Sequence, residues 1–268
     1  MNKLTVMAKN QNTYFVKRLI QEVGKGSLFL FDPWKDPLES PQEGRVLVRT
    51  TGVYGDERDL EILERFFAPE EIINTLPTLR VLRNKKLQYQ IFPTVNIPAL
   101  PWLDLQHASV PMIRAFLVRH PGSRFLVKPH RGQGGWGIET FSREQMLTWT
   151  GDRTDKEFIL QPYLEGWREL RCFFIDDWCL SLERENSGGA ASNFTAGGTA
   201  RLIDLPPSVK ELVGRIRKHF QLTYGAIDFL QQREELITLE INSAPGVEQL
   251  EAITGVNVMR KLVDQLGF

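Results

Sequence analysis

Two segments near the end of the chain, 224–230 and 234–246, alternate β-branched and aromatic residues with others, and the polar run 231–234 divides them. The alternation and the β-branched and aromatic residues predict two strands, which the polar run joins as an antiparallel hairpin. Across such a hairpin Asp228 and Glu240 can lie near each other, and Asn242 projects from the same face as Glu240. The pattern therefore predicts three converging oxygen-bearing side chains.

The first third of the chain alternates short apolar runs with helical periodicity. A helix with apolar positions from Phe15 onward is expected to end at Gly24, and a charged amphipathic helix is expected over 57–67. One basic helix is predicted to start near Asn74 and to continue through Lys86 until the segment 97–101 ends it. Strands are predicted at 4–7, 28–31 and 46–49. This order of elements predicts an α/β beginning.

The rest of the chain is predicted to be mixed. Helices are expected after Ser109 and Ser142, and a hairpin turn is expected at Asp176-Asp177. Further predicted strands are 125–128, 138–141, 158–161, 169–175 and 178–183. Further predicted helices are 209–220 and 256–266, and 186–198 is predicted to be a loop of small residues.

The composition is that of an ordinary globular protein, with 42% hydrophobic residues in 268. Lys plus Arg and Asp plus Glu both number 33, so no net field favours nucleic acid or an anionic membrane as a partner. Cys172 and Cys179 are too few for a disulfide framework or a zinc site, and we interpret them as core thiols. No apolar run has the length needed to cross a bilayer, and a cytoplasmic location is expected.

Three glycines, Gly132, Gly134 and Gly137, fit the pattern G-x-G-x-x-G after a predicted strand. A dinucleotide-binding loop would lead into a helix, whereas strand-like residues follow here, and a protein-kinase loop would need catalytic segments that the sequence lacks. The remaining interpretation is a hairpin whose backbone N–H groups close over anionic oxygens as a lid, while Lys128 on the entering strand supplies a positive charge. A flexible glycine turn beside a surface lysine is the alternative.

Asp228, Glu240 and Asn242 offer two carboxylates and an amide oxygen, which suit Mg²⁺ that is shared with nucleotide phosphates. A solvated strand face is the alternative for the carboxylates, and a solvated helix face is the alternative for the basic run that ends at Lys86. The glycine-rich segment and the carboxylates are more specific together than either is alone.

On these residues the sequence resembles the ATP-grasp superfamily, and within it the carboxylate–amine ligases related to the ribosomal-protein glutamate ligase RimK and, less closely, glutathione synthetase. The resemblance runs through the whole chain. The most specific match is the run 240–246, Glu-Ile-Asn-Ser-Ala-Pro-Gly, which continues through Glu248 to Gly255. Segments 14–19 and 49–52 resemble the family's N-terminal elements, and Arg83-Asn84-Lys85 stands where the family has Arg-Asp-Lys.

The resemblance implies an α/β fold of the ATP-grasp type with an α+β lid. It implies an N-terminal α/β pre-ATP-grasp domain over 1–79 and an ATP-grasp domain over 80–268. Within the second domain it implies a lid subdomain over about 98–162 and a C-terminal antiparallel-sheet subdomain over about 163–268.

The resemblance also implies the site residues, with ATP and two Mg²⁺ or Mn²⁺ ions as cofactors. The residues expected to bind the nucleotide are Lys85, Lys128, Gly132, Gly134, Gly135, Gln161, Tyr163, Leu164 and Glu169. Those expected to bind metal are Asp228, Glu240 and Asn242, and those expected to act at the transferred phosphate and the acceptor end are Arg171 and Asn193. Whether Lys85 or Lys86 contacts the phosphates stays open.

The implied activity is an ATP- and Mg²⁺-dependent carboxylate–amine ligase that forms an amide bond through an acyl phosphate. It would add an amino acid to a peptide, a protein tail or a metabolite. The family's charged loop and its Asn-Leu-His-Arg-Gly-Gly run are replaced here by small residues and by Asn193-Phe194-Thr195-Ala196-Gly197-Gly198, so glutamate as the added amino acid is in question.

Two alternatives stay open, an ATP-binding regulatory or peptide-binding module without turnover and an ATP-grasp kinase. His130 is a candidate for the base that deprotonates the amine. No nucleic acid or membrane partner is expected, and homo-oligomerisation is left open.

Overall fold

The computed structural model describes residues 3–40, 42–50, 56–132, 134–148, 157–185 and 199–268. Its first sheet is parallel, with β1 (Leu4–Met7) between β2 (Leu28–Phe31) and β3 (Val46–Val48). The helices α1 (Tyr14–Val23) and α2 (Arg58–Phe66) follow β1 and β3 in the chain. These elements confirm the α/β beginning that the apolar pattern predicted.

The basic segment forms two helices, so the prediction of a single helix was wrong. α3 spans Leu76–Leu82 and α4 spans Lys85–Ile91. Asn84 separates them because its side chain accepts the backbone N–H of Leu87 and caps α4. An asparagine competes with the helix for backbone hydrogen bonds, which is why it favours a cap over a helix interior.

The second sheet is antiparallel and lies in the middle of the chain, with the order β4-β7-β5-β6. Its strands are β4 (Leu103–Asp104), β5 (Arg124–Pro129), β6 (Glu139–Ser142) and β7 (Phe158–Pro162). Apolar residues of α5 (Val110–Arg119) and α6 (Arg143–Leu147) share one core with β5 and β7. Ser142 caps α6 as predicted, while the two-residue strand β4 was not predicted.

The third sheet is antiparallel and has the order β10-β9-β8-β11-β12. Its strands are β8 (Arg168–Ile175), β9 (Trp178–Glu185), β10 (Thr199–Ile203), β11 (Tyr224–Gln232) and β12 (Glu235–Asn242). Its helical neighbours in the chain are α7 (Pro207–His219), α8 (Glu248–Thr254) and α9 (Val258–Leu266). Both predicted hairpins are confirmed, and α8 was not predicted. Across the described ranges, no helix is long and apolar enough to span a membrane.

One buried core joins the two ends of the chain. It includes Leu4 and Val16 near the N-terminus and Tyr224 and Leu262 near the C-terminus. Each of the three predicted intervals contains one sheet, although the predicted boundary after residue 79 falls inside α3. The domain boundaries stay predictions.

Candidate active site

Two adjoining cavities open between the glycine-rich segment and the third sheet. The larger has a volume of about 480 Å³ and the smaller a volume of about 120 Å³. Because they share part of their lining, we treat them as the larger and smaller chambers of one cleft, whose size suits a small molecule. The residues that line both chambers are Lys85, Gly132, Gly134, Gly135, Arg184, Asp228 and Glu240.

Alternate residues of three strands of the third sheet form one wall of the cleft. They are Glu169, Arg171 and Phe173 of β8, Leu182 and Arg184 of β9, and Asp228 and Leu230 of β11. The strand register places Asp228 opposite Arg171, and their side chains approach to 3.5 Å. It also places Glu169 opposite Arg184, at 2.6 Å, while a second Arg184 nitrogen lies 3.8 Å from Asp228. The strand register therefore places acidic side chains opposite basic ones across this wall.

The edge strand β12 contributes the second carboxylate through a bulge. Asp228 lies opposite Glu240, which confirms their predicted nearness, but the register shifts at the next residue so that Phe229 faces Thr238 and Leu239 is an extra residue. Successive residues of a regular strand point to opposite faces. Because of the bulge, Leu239 and Glu240 both line the smaller chamber.

Asp228, Glu240 and Asn242 have the chemistry of a magnesium site. Asp228 is buried and its Oδ1 has no hydrogen-bond partner among the described residues, which fits an oxygen that binds a cation. Asn242 Oδ1 accepts the Ala244 N–H at 2.9 Å and keeps a second lone pair. Within the described ranges no three His, Cys, Asp or Glu side chains are grouped so that they could hold a metal ion by themselves, so phosphate oxygens and water would have to complete the coordination. The metal roles of these residues stay predictions.

Two lysines face this wall. Lys85 Nζ lies 3.0 Å from Glu240 Oε2 and donates to the Gly132 carbonyl at 3.3 Å. Lys86 instead pairs with Asp104 at 2.7 Å, so only Lys85 of these two neighbours lines the cleft. Lys128 lines the smaller chamber, and burial lowers its pKa to about 8 despite the opposing charge of Glu240.

The two glutamates of the cleft differ in how readily they ionise. Burial raises the pKa of Glu169 to about 7, and the charge of Asp228 adds to this, while Arg184 opposes it. Burial also favours the neutral form of Glu240, but Lys85 and more weakly Arg171 outweigh it and lower the pKa of Glu240. Glu240 is therefore a carboxylate at neutral pH, as a metal ligand has to be.

The glycine-rich segment forms a turn between β5 and β6, and the strand after it confirms the predicted hairpin. Gly134, Gly135 and Gly137 have φ of 64°, 74° and 76°, a conformation that favours glycine. At Gly132 a Cβ atom would lie 3.1 Å from the Pro129 Cγ, so a side chain would be tight there.

The remaining predicted residues lie in different places. Tyr163 and Leu164 line the smaller chamber, whereas Gln161 is fully buried and is not among the residues that line either chamber. Asn193 lies outside the described residues. His130 is buried, does not line the cleft, and its Nε2 lies 3.2 Å from Asp104, so its interpretation as the base is not supported.

The sequence did not indicate the roles of Arg184 and Gln88, which line the cleft, or of Tyr89, which lies behind it. Arg184 continues the alternation of its strand one step beyond Leu182, and this pattern could have placed it on the cleft face. Gln88 and Tyr89 of α4 make hydrogen bonds to β12, and no local pattern indicates these contacts.

A family model for the RimK-like ATP-grasp domain matches residues 102–266. The chain therefore belongs to the RimK-like ATP-grasp family, which confirms the resemblance seen in the sequence. A protein named probable alpha-L-glutamate ligase from Trichodesmium erythraeum (strain IMS101) is 29% identical over 152 residues, covering 54% of this chain and 51% of that protein. The chain spans about half the length of this relative and of one from Ectopseudomonas mendocina (strain ymp), and 69% of one from Picosynechococcus sp. (strain ATCC 27264 / PCC 7002 / PR-6).

Two solved structures are similar over nearly the whole chain. The Chryseobacterium gregarium RiPP-associated ATP-grasp ligase, in complex with ADP and a leader and core peptide, has a TM-score of 0.77 at 15% identity and covers 100% of this chain and 97% of its own. The ATP-grasp ligase PsnB, complexed with a phosphomimetic variant of minimal precursor, Mg and ADP, has a TM-score of 0.74 at 16% identity, covering 99% and 98%. At these identities the likeness shows the fold, and the predicted ATP-grasp fold of the α/β class is confirmed.

Proposed function

We propose that the chain is an ATP- and Mg²⁺-dependent carboxylate–amine ligase that forms an amide bond through an acyl phosphate. The observation that carries this proposal is the cleft, in which Lys85, Lys128 and Arg171 face Asp228 and Glu240 beside a glycine-rich turn. Membership of the RimK-like ATP-grasp family supports ATP as the bound nucleotide, and the relatives named probable alpha-L-glutamate ligase support a ligase activity.

ATP would lie along the cleft with its base in the smaller chamber. Backbone groups of Tyr163 and Leu164 would contact the adenine, and Glu169 would accept hydrogen bonds from the ribose hydroxyls. Lys85 and Lys128 would neutralise the phosphates, and the turn beside them would donate backbone N–H groups. The charges around these lysines support this placement. Both lysines interact with the Glu240 carboxylate, which a bound metal ion would engage, and both would then be available to the phosphates.

Asp228, Glu240 and Asn242 would hold the metal, and we propose two ions, with Mn²⁺ able to replace Mg²⁺. A magnesium ion bound there would neutralise charge on the phosphate oxygens. Arg171 would face the transferred phosphate, supported by its position opposite Asp228 in the sheet. Asn193 would act at the acceptor end.

The chemistry consists of two substitutions. A substrate carboxylate oxygen attacks the γ-phosphorus, the bond from that phosphorus to the ADP oxygen breaks, and an acyl phosphate forms. An amine then attacks the acyl carbon, phosphate leaves with the bonding electrons, and the amine nitrogen loses a proton. Positioning of reactants is worth about 7–11 kcal/mol in such reactions, and exclusion of water protects the acyl phosphate.

The larger chamber would hold the carboxylate and the amine. Beyond the charged centre it is lined by Thr50, Phe173 and the segment that contains Ser243, Glu248 and Gln249. An amino acid is the proposed incoming substrate. A peptide is the proposed acceptor, supported by the peptide in the Chryseobacterium gregarium structure, and a protein tail or a metabolite are the alternatives. A cytoplasmic location is part of the proposal because ATP is supplied there.

The test is incubation with ATP, Mg²⁺, pooled amino acids, carboxylic metabolites and peptides, followed by mass spectrometry. A ligase yields condensed products and ADP. With an ¹⁸O-labelled carboxylate, one ¹⁸O passes to inorganic phosphate, because the carbon–oxygen bond of the acyl phosphate breaks. A kinase instead yields a stable phosphorylated product, and a binding module yields no substrate-dependent ADP.

The matched control compares two glutamates on the same strand. Glu240→Gln should lower product formation about a thousandfold, because a metal ligand contributes several kcal/mol to the transition state. Glu235→Gln, at an exposed position of β12, should act like the wild type. Undiminished products from Glu240→Gln would contradict the metal assignment.

A further inference from the structure

Besides Lys85, helix α4 places two further side chains against strand β12. β12 is an edge strand of the third sheet, and among the described residues its outer side pairs with other backbone only at Thr238, whose N–H donates to the Pro98 carbonyl at 2.7 Å in an isolated bridge with Ala99. Unpaired backbone groups at a buried edge are costly. Beyond that bridge, at Leu239 and Ile241, two buried side chains of α4, Gln88 and Tyr89, occupy the position of a partner strand.

Gln88 pairs with Ile241 in both directions. The Ile241 N–H donates to Gln88 Oε1 at 2.9 Å, and Gln88 Nε2 donates to the Ile241 carbonyl at 3.1 Å. The second N–H of this amide reaches the carbonyl of Leu82 at 2.8 Å, so the side chain is fully engaged. A reciprocal pair of this kind is what one residue of an antiparallel strand makes with its neighbour. The amide therefore extends the sheet at the residue directly after Glu240.

Tyr89 binds on the other side of Glu240. Its hydroxyl donates to the Leu239 carbonyl at 2.6 Å, and Leu239 is the extra residue of the bulge. Burial raises the pKa of Tyr89, so the hydroxyl keeps its proton at neutral pH and remains a donor. The extra residue of the bulge lacks a regular partner in the ladder, and the Tyr89 hydrogen bond connects it to α4.

The three contacts surround one residue. Lys85, one turn before Gln88 and Tyr89 on α4, contacts the Glu240 carboxylate, while those two residues hold the backbone on either side of it. We propose that Gln88 and Tyr89 are positioning residues that fix the bulge and so aim the Glu240 carboxylate at the metal. This inference rests on the proposed function, in which Glu240 is a metal ligand.

A purely structural contact and a positioning contact predict different results. Loss of a structural contact lowers the stability of the fold and weakens the binding of all ligands alike. Loss of a positioning contact weakens the part of nucleotide binding that depends on Mg²⁺, and partners that orient metal ligands typically contribute about 10- to 100-fold to metal affinity. The informative quantity is therefore the gain in ADP affinity when Mg²⁺ is added.

The experiment is calorimetric titration of ADP into the whole chain, with Mg²⁺ and with EDTA. Tyr89→Phe removes one hydroxyl and should reduce the Mg²⁺-dependent gain about tenfold, and Gln88→Met should reduce it further. Both should keep the wild-type ADP affinity in EDTA. Gln90→Met, at an exposed position on the same helix, is the matched control and should behave as the wild type.

The outcomes separate the positioning role from the proposed metal site. A wild type that gains no ADP affinity from Mg²⁺ refutes the proposed metal site itself. A wild-type gain that Tyr89→Phe retains in full overturns the positioning role, as does an equal loss with and without Mg²⁺. Thermal unfolding checks that each variant is folded. If Gln88→Met does not fold, Tyr89→Phe decides alone, because it removes a single oxygen from a buried ring.

Discussion

The two walls of the cleft are built in opposite ways. The third sheet offers side chains at registered positions, with Arg171, Arg184 and the carboxylates paired within 4 Å of one another. The glycine-rich turn offers backbone, with three glycines in the left-handed conformation. Lys85 contacts both walls, at Glu240 on one side and at the Gly132 carbonyl on the other.

This difference teaches what each wall can bind. Metal coordination needs ligands held within about 0.5 Å of the right place, which strands and supporting hydrogen bonds provide. Phosphate oxygens can be bound by the N–H groups of a turn, provided that no side chains stand in the way. Three predictions test this division, and the expected effects decrease from the first to the last.

The largest effect is expected from Asp228→Asn on the side-chain wall. Turnover should fall about 100- to 1,000-fold, because an amide oxygen binds the metal more weakly than a carboxylate does, and the metal stabilises the charged transition state. ADP affinity in EDTA should stay the same or rise, because a negative charge near the phosphates is removed. Steady-state ADP release and calorimetry measure the two quantities. Asp177→Asn, at the exposed turn of the neighbouring hairpin, is the control. Equal loss in both assays would show that Asp228 supports the cleft as a whole.

A smaller effect is expected from pH at Lys128, whose pKa is about 8 in the free protein. Bound phosphates favour its charged form and raise this pKa, so binding takes up a proton above pH 8. ADP affinity should therefore be highest below pH 8 and should fall about tenfold as the pH rises from 7.5 to 9. Calorimetry in two buffers of different ionisation enthalpy measures the proton uptake. Lys128→Arg should remove the dependence, and a dependence that persists would assign it to another group.

The smallest effect is expected from Gly134→Ala on the backbone wall. An alanine in this left-handed conformation costs about 1 kcal/mol, which corresponds to about a fivefold loss of ATP affinity if the turn shifts to relieve it. The unfolding temperature should fall by only about 2–4 °C, because the cost is confined to the backbone conformation and a Cβ atom at Gly134 meets no neighbour within 4 Å. Gly122→Ala, in the loop before β5 at a glycine without a positive φ, is the control. An unchanged ATP affinity would mean that the conformation of Gly134 does not matter for phosphate binding.

Local sequence pattern was enough for the elements that depend on near neighbours. The hairpin and the nearness of Asp228 to Glu240 could be predicted, because alternation identifies the strands and a short polar turn limits their register. The turn alone would set Asp228 opposite Leu239, and the bulge moves it opposite Glu240. The strand that follows the glycine-rich turn was visible for the same reason, and so was the end of α1 at Gly24. These features also carried the family resemblance that the RimK-like domain match confirms.

Packing between distant segments decided the rest. The break between α3 and α4 and the bulge at Leu239 place Lys85 against Glu240. Gln88 meets Ile241 across 153 positions of sequence, and Tyr89 meets Leu239 across 150. A periodic pattern records which residues avoid water, but it does not record which buried polar groups satisfy one another. That choice is made only when a helix closes onto the edge of a sheet formed from a distant part of the chain.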